Sequence, residues 1–255
     1  REMADVVKQT SLPFGLTHTY TGYPLAREMK ARISAGDLGE IRKVVVEYPQ
    51  GWLSGPAEGK QAEWRVDPAR SGAGGCIGDI GTHAFNLAEF TTGLKVTQLL
   101  ADLAAVVPGR ALDDDVSILM SFENGARGVL LASQIEIGEL NGLRIRIYGD
   151  KAGMRWRQED PNRLEILYGD GRQEVINAGS DVLGPAAASR TRTPAGHPEG
   201  YLEAFANIYR DFAEVLRGGE APLLPGIEDG LRGMAFIETS VRASADKSGW
   251  VDLTI

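Results

Sequence analysis

Seven stretches between residues 96 and 178 constrain this chain most: VTQLLADLAAV, VSILMSF, ARGVLLASQI, LRIRIYG, GMRWRQ, RLEILYG and RQEVINA. Each is short, and apolar side chains tend to alternate with polar ones. Glu123-Asn124-Gly125, Gly149-Asp150-Lys151 and Gly169-Asp170-Gly171 lie between them. Tight Asn-Gly and Asp-Gly signals between alternating runs predict antiparallel hairpins rather than βαβ crossovers. The chain is therefore expected to be built around one large, mostly antiparallel sheet.

The flanking segments supply the helices. Residues 1–9, REMADVVKQ, read as part of an amphipathic helix, and FGLTHTY at 14–20 reads as a strand. Pro24 suits the first turn of a helix that stops at Gly36. EIRKVVVEY at 40–48 alternates, with Val44, Val46 and Tyr48 on one face, as a half-buried strand does. The Ala/Ser/Thr/Pro-rich segment 178–199 reads as a loop. Two amphipathic helices follow, one carrying Leu202, Phe205, Ile208, Phe212 and Leu216 at helical spacing. Strands followed by helices give an α+β class, a large mostly antiparallel sheet flanked by helices.

Composition excludes several functions. The chain has 27 basic and 35 acidic residues, a net charge of −8, which argues against a nucleic-acid partner. No apolar run approaches the roughly 18 residues that span a bilayer, so no membrane partner is expected. One cysteine, Cys76, rules out an internal disulfide framework and fits a reducing, cytoplasmic setting. No G-x-G-x-x-G follows a strand; the GAGG at 72–75 comes after a loop.

The chemistry concentrates in GGCIGDIGTHAFN, residues 74–86. Read as a helix, it carries interior glycines that each cost about 1 kcal/mol relative to alanine. The same helix stacks Asp79 and His83 at i, i+4. A carboxylate beside imidazole favours the protonated ring and orients it, giving a proton donor and acceptor near neutral pH. Gly74, Gly75 and Gly78 would let a flat ligand approach the backbone. Two other readings stand beside this one. The pair is an ordinary surface i, i+4 contact with tight packing at the glycines, or Cys76, Asp79 and His83 approach one metal ion. The second lacks a further cysteine or nearby histidine to complete a ligand set, so no metal is expected. His18, inside a strand-like run, reads as a core histidine. His197, in GHPEGY, reads either as a turn residue or as a substrate contact.

WRVDPARSGAGGCIGDIGTHAFNLAEFTTG resembles the segment of the glucose–fructose oxidoreductase/inositol dehydrogenase/MocA family that carries its D-x-x-x-H pair. THTYTGYPLAREMKARISAGDLGEIRKVVVEY resembles that family's join between domains. FENGARGVLLASQ, LRIRIYGDKAGMRW and GIEDGLRGMAFIETSVRASADKSGWV resemble its sheet and last helix. HPEGYLEAFANIYRDF is similar to a sugar-oxidising branch that includes levoglucosan dehydrogenase. The blocks cover nearly the whole chain in the family's order.

The resemblance implies an NAD(P)-dependent oxidoreductase acting on a CH–OH group of a sugar or polyol. Asp79 and His83 would be catalytic, and Gly74, Gly75 and Gly78 would face NAD or NADP. Tyr23, Trp52, Arg65 and His197 would line the sugar site, although Trp52 reads equally well as core. The family's glycine fingerprint and its Glu-Lys-Pro lysine have no counterpart in the sequence. The expected fold is therefore a C-terminal substrate domain, with residues 1–22 a remnant of a largely missing Rossmann domain and residues 23–255 the substrate-binding and oligomerisation domain. Such a chain would bind the dinucleotide mainly through the missing part and be inactive alone. The sheet would associate as a homo-dimer or tetramer. The alternative is a non-catalytic sugar-sensing or assembly domain of the same fold.

Overall fold

The computed structural model describes residues Arg1–Ile255. Its centre is one nine-stranded sheet of β1 (Ile41–Pro49), β2 (Val96–Ala104), β3 (Asp115–Phe122), β4 (Arg127–Ser133), β5 (Arg144–Gly149), β6 (Ala152–Arg157), β7 (Arg163–Tyr168), β8 (Gln173–Asn177) and β9 (Val251–Asp252). The spatial order is β8-β7-β6-β5-β1-β4-β3-β2-β9. All seven stretches between 96 and 178 are strands. Their hairpins form as the turn residues dictate: Gly125 takes φ +84, which a side chain would oppose, and Asn124 Oδ1 accepts from the Ala126 amide at 3.0 Å.

Every strand pairing but one is antiparallel, as expected, but the sheet is mixed, and in that the expected fold class is corrected. β1 and β4 run parallel at its middle, with Val44 opposite Gly128, Val46 opposite Leu130 and Tyr48 opposite Ala132. Hairpin signals report only neighbouring strands. β1 instead inserts between β4 and β5 from a distant part of the chain, and a parallel pair needs just such a long crossover. Val44, Val46 and Tyr48 are buried on one face of β1, as alternation predicts.

The helices are α1 (Glu2–Thr10), α2 (Pro24–Ser34), α5 (Thr82–Thr92), α7 (Tyr201–Leu216) and α8 (Ile227–Ala245), with single turns α3 (Lys60–Glu63), α4 (Pro68–Ser71) and α6 (Pro185–Ala188). α5 and α8 pack on the buried face of the sheet and on each other. Phe85 and Phe236 stack between them with centroids 4.3 Å apart. α2 starts with Pro24 as its first residue, where the missing amide proton is no loss.

Two local expectations fail. FGLTHTY is not a strand. The Leu16 amide donates to the Pro225 carbonyl at 2.8 Å, and the segment ends in a 3-10 turn, Thr19–Gly22, under α7. The helix at the glycine-rich motif is also interrupted, because Ile77–Gly81 form a π turn before α5 begins.

Candidate active site

The π turn explains part of the glycine pattern. The Asp113 carboxylate accepts from the Gly75 and Ile77 amides, both at 2.7 Å, and its carbonyl accepts from the Cys76 amide at 2.8 Å. These bonds satisfy the amide donors that a helix start leaves free. They also draw the β2–β3 connection onto the turn. A Cβ on Gly75 would lie 2.3 Å from the Asp113 carbonyl oxygen, and one on Gly74 would lie 2.7 Å from Ile77 Cγ2. Both glycines are thus required by packing within the chain. Gly78 differs: a Cβ there would meet nothing within 4 Å. It opens onto a groove of about 620 Å³ between α1 and α8, beside His18 and Thr82. Cys76 is fully buried, and burial followed by nearby acidic groups pushes its thiol far above the ordinary range.

The wider turn projects Asp79 and His83 into a cleft of about 490 Å³. They are not hydrogen-bonded to each other. Asp79 Oδ2 accepts from Arg65 Nε at 2.9 Å and from Gln134 Nε2 at 2.8 Å, while Asp79 Oδ1 has no partner within the chain. His83 Nδ1 meets His18 Nδ1 at 3.3 Å, so one ring donates and the other accepts. His83 Nε2 has no partner in the chain. The expected effect of Asp79 on His83 is outweighed: burial pushes the His83 imidazole below its ordinary value, and Asp79 pulls it only partly back. His18, 6% exposed, is pushed down to about 3 by burial and then by the neighbouring His83. Both rings are consequently neutral near pH 7.

Polar side chains from distant elements complete the cleft. The Tyr20 and Tyr48 hydroxyls are hydrogen-bonded to each other. Tyr48 donates to Asn141 Oδ1 at 2.7 Å, and Gln50 Nε2 donates to the same oxygen at 2.8 Å. Tyr20 meets the His83 ring edge-on, centroids 5.2 Å apart. Burial raises both tyrosines, so neither is an acid at ordinary pH.

The sequence-derived candidates separate on this map. Asp79, His83, Arg65 and Trp52 line the cleft together. Arg65 lies over both Trp52 and Trp64, at 5.6 and 4.4 Å from the ring centroids, and Trp52 is 46% exposed, so it is a wall of the cleft rather than core. Tyr23 is buried beneath the neighbouring cleft, where its hydroxyl accepts from Gln158 Nε2 at 3.1 Å and burial pushes it up to about 12. His197 lies on an exposed loop and lines neither cleft. Sequence reasoning missed His18, Tyr20, Tyr48, Gln50, Asn141 and Gln134. The available signal was a hydroxyl or imidazole on an otherwise apolar run, as at Tyr20, Tyr48 and His18. No group of three or more His, Cys, Asp and Glu side chains is placed to hold a metal ion.

Residues 26–155 match the family model described as the GFO/IDH/MocA C-terminal domain. The chain belongs to the GFO/IDH/MocA family. Among curated family relatives, an uncharacterised oxidoreductase, YfiI of Bacillus subtilis, is 34% identical over 93% of this chain and 64% of its own length. The levoglucosan dehydrogenase of Pseudarthrobacter phenanthrenivorans is 24% identical over 99% of this chain and 70% of its own. The chain therefore spans about two thirds of these relatives. An inositol dehydrogenase homolog from Azotobacter vinelandii, solved with NAD+, superposes with a TM-score of 0.94 at 32% identity, covering 98% of this chain and 68% of that one. The same homolog solved with NADH and myo-inositol gives 0.90. This overlay corrects the expected fold class in its second respect. Nearly all of this chain superposes on a dehydrogenase chain, so the fold is not that of a lone C-terminal domain.

Proposed function

We propose that the protein is an oxidoreductase that moves a hydride between a CH–OH carbon of a sugar or polyol and NAD or NADP. One observation carries this reading: Asp79 Oδ1 and His83 Nε2, neither partnered within the chain, share one cleft walled by hydroxyl- and amide-bearing side chains. Such a set suits a ligand rich in hydroxyl groups. The identity of the relatives as dehydrogenases supports it.

The chain's own residues would act as follows. With His18 Nδ1 accepting, His83 carries its proton on Nδ1 and presents the Nε2 lone pair to the substrate. Burial keeps that ring neutral, so it is a base in its resting state. It takes the hydroxyl proton as the carbon loses hydride, and the alcohol becomes a ketone. Asp79 Oδ1 accepts from a second substrate hydroxyl, while Arg65 and Gln134 hold its other oxygen. Tyr20, Tyr48, Gln50 and Asn141 offer a fixed hydrogen-bond wall, and Trp52 gives an apolar face for the ring.

The dinucleotide supplies the hydride acceptor. Of the three candidate glycines only Gly78 leaves open space, beside His18 and Thr82, and the groove there has room for a flat ring. Gly78 and Thr82 would hold the nicotinamide end. The free face of the sheet, where Leu119 and Leu131 stand exposed among Glu47, Arg144 and Arg146, is the surface we assign to self-association.

The test is reduction of NAD+ or NADP+ by the protein against a panel of polyols and monosaccharides that includes myo-inositol and levoglucosan. Absorbance of the reduced nicotinamide with at least one member is the expected result. Sugar binding without any turnover would overturn the catalytic reading in favour of a sensing domain.

A further inference from the structure

A second cleft, about 800 Å³, adjoins the first and shares Gln158 and Tyr201 with it. Each volume falls within the roughly 300–1,000 Å³ that small-molecule sites occupy. Together they exceed what one small ring needs, and the second cleft has no part in the chemistry described above.

Its walls are fixed by hydrogen bonds already made. Asn162 Nδ2 donates to the Glu199 carbonyl at 2.8 Å, and its Oδ1 accepts from the Glu199 amide at 3.2 Å. The Glu159 carboxylate accepts from the Asn141 backbone N–H at 3.0 Å, which ties this wall to the residue whose side chain organises the first cleft. Gln158 is the exception. Its amide N–H donates to the Leu143 carbonyl at 2.8 Å, and its Nε2 donates to Tyr23. Its Oε1 is buried and has no partner. An unsatisfied buried acceptor costs about 1–3 kcal/mol, so such atoms need an explanation. Gln158 lines both clefts, and a small rotation of its terminal amide would bring Oε1 to their junction to accept from a ligand hydroxyl.

Tyr201 supplies the other half of a carbohydrate contact. It opens α7, is 45% exposed, and stands 6.3 Å from the Tyr20 ring with Phe205 braced against it edge-on at 5.0 Å. A braced, exposed aromatic ring beside a hydrogen-bond acceptor suits a sugar, whose ring face is apolar and whose edge is polar.

We propose that the neighbouring cleft is a second sugar subsite, so that the preferred substrate is a disaccharide or glycoside. The unit that is oxidised sits at Asp79 and His83. The unit linked to it lies in the second cleft, its hydroxyl donating to Gln158 Oε1 and its ring against Tyr201. The inference rests on the oxidoreductase reading for its first unit and extends it to the size of the substrate.

The test compares glucose with maltose and cellobiose by calorimetric titration of the full-length protein, a readout independent of turnover. At least one disaccharide is expected to bind tenfold or more tightly than glucose. Tyr201→Ala and Gln158→Met should collapse that ratio to within twofold. Tyr201→Phe, which keeps the ring, should retain it, and thermal melts of all three confirm folding. Glucose binding as tightly as both disaccharides overturns the subsite and leaves the oxidoreductase reading intact. A ratio that survives both Tyr201→Ala and Gln158→Met also overturns it. Absence of binding by all three sugars overturns the subsite and counts against the hydroxyl-binding reading of the first cleft.

Discussion

Asp211 and Asp79 are both carboxylates held by arginine, yet the chain treats them oppositely. Asp211 is 1% exposed and spends both oxygens inside the protein, one on Arg27 and one on Arg190, whose Nε donates at 2.9 Å. Arg27 is equally buried and gives its Nε to the Thr21 carbonyl at 3.0 Å. The cluster ties α2, the Thr19–Gly22 turn and α7 together and leaves Asp211 no free oxygen. Asp79 is 22% exposed in its side chain, and Arg65 and Gln134 occupy only one of its oxygens. The other oxygen faces the cleft. The first carboxylate is saturated and structural; the second is half-satisfied and available. Satisfaction rather than charge separates a structural ion pair from a candidate site.

The largest expected effect tests the structural side. Asp211→Ala leaves Arg27 buried without its counter-ion, and breaking such a pair costs about 3–5 kcal/mol. Urea unfolding should show the loss. A shift under about 1 kcal/mol would mean that the cluster does not hold α2 to α7, and the contrast with Asp79 would lose its meaning.

Next comes the available side. His83→Ala removes the base, and turnover should fall at least a hundredfold, about 2.7 kcal/mol in the barrier. Its urea midpoint should move far less than that of Asp211→Ala. Near-normal turnover would remove His83 from the chemistry and leave the cleft a binding site.

The contrast also shows what a sequence can reveal. Strands between 96 and 178 were legible because alternation and turn residues are local. That Asp79 and His83 reach one cleft was legible from their closeness in sequence, although they do not bond to each other. The turn itself was not, since it depends on Asp113, whose bonds to Gly75 and Ile77 span 38 and 36 residues. Its glycines therefore looked like space for a ligand, when Gly75 makes room for the Asp113 carbonyl. The parallel β1–β4 pair and the Tyr48–Asn141 bond, 93 residues apart, were invisible for the same reason. FGLTHTY has strand-like residues, but Leu16 bonds to Pro225 across the chain and no ladder forms. His18 looked like a core histidine because nothing local ties it to His83, 65 residues away.

The smallest effect is a pH dependence that isolates the histidine couple. Burial lowers His18 from 6.5 to about 3 in the folded state. A folded pKa below the unfolded one means that the unfolded chain binds the extra proton first. Stability contributed by the neutral ring is therefore intact above the unfolded value and is lost as pH falls toward the folded one. Between about pH 7 and pH 5 this amounts to about 2 kcal/mol from His18. His83, shifted in the same direction, adds to it. The wild-type protein should thus lose about 2 kcal/mol more over that interval than His18→Gln, whose amide can still hydrogen-bond His83 but does not titrate. Kinetics read the same couple from the other side. Because His83 stays neutral below its ordinary value, the acid limb of turnover should lie below 6.5. Parallel stability curves for wild type and His18→Gln would show that His18 is not held neutral. The couple would then be a structural contact only, and the distinction between a saturated and an available site would rest on Asp79 alone.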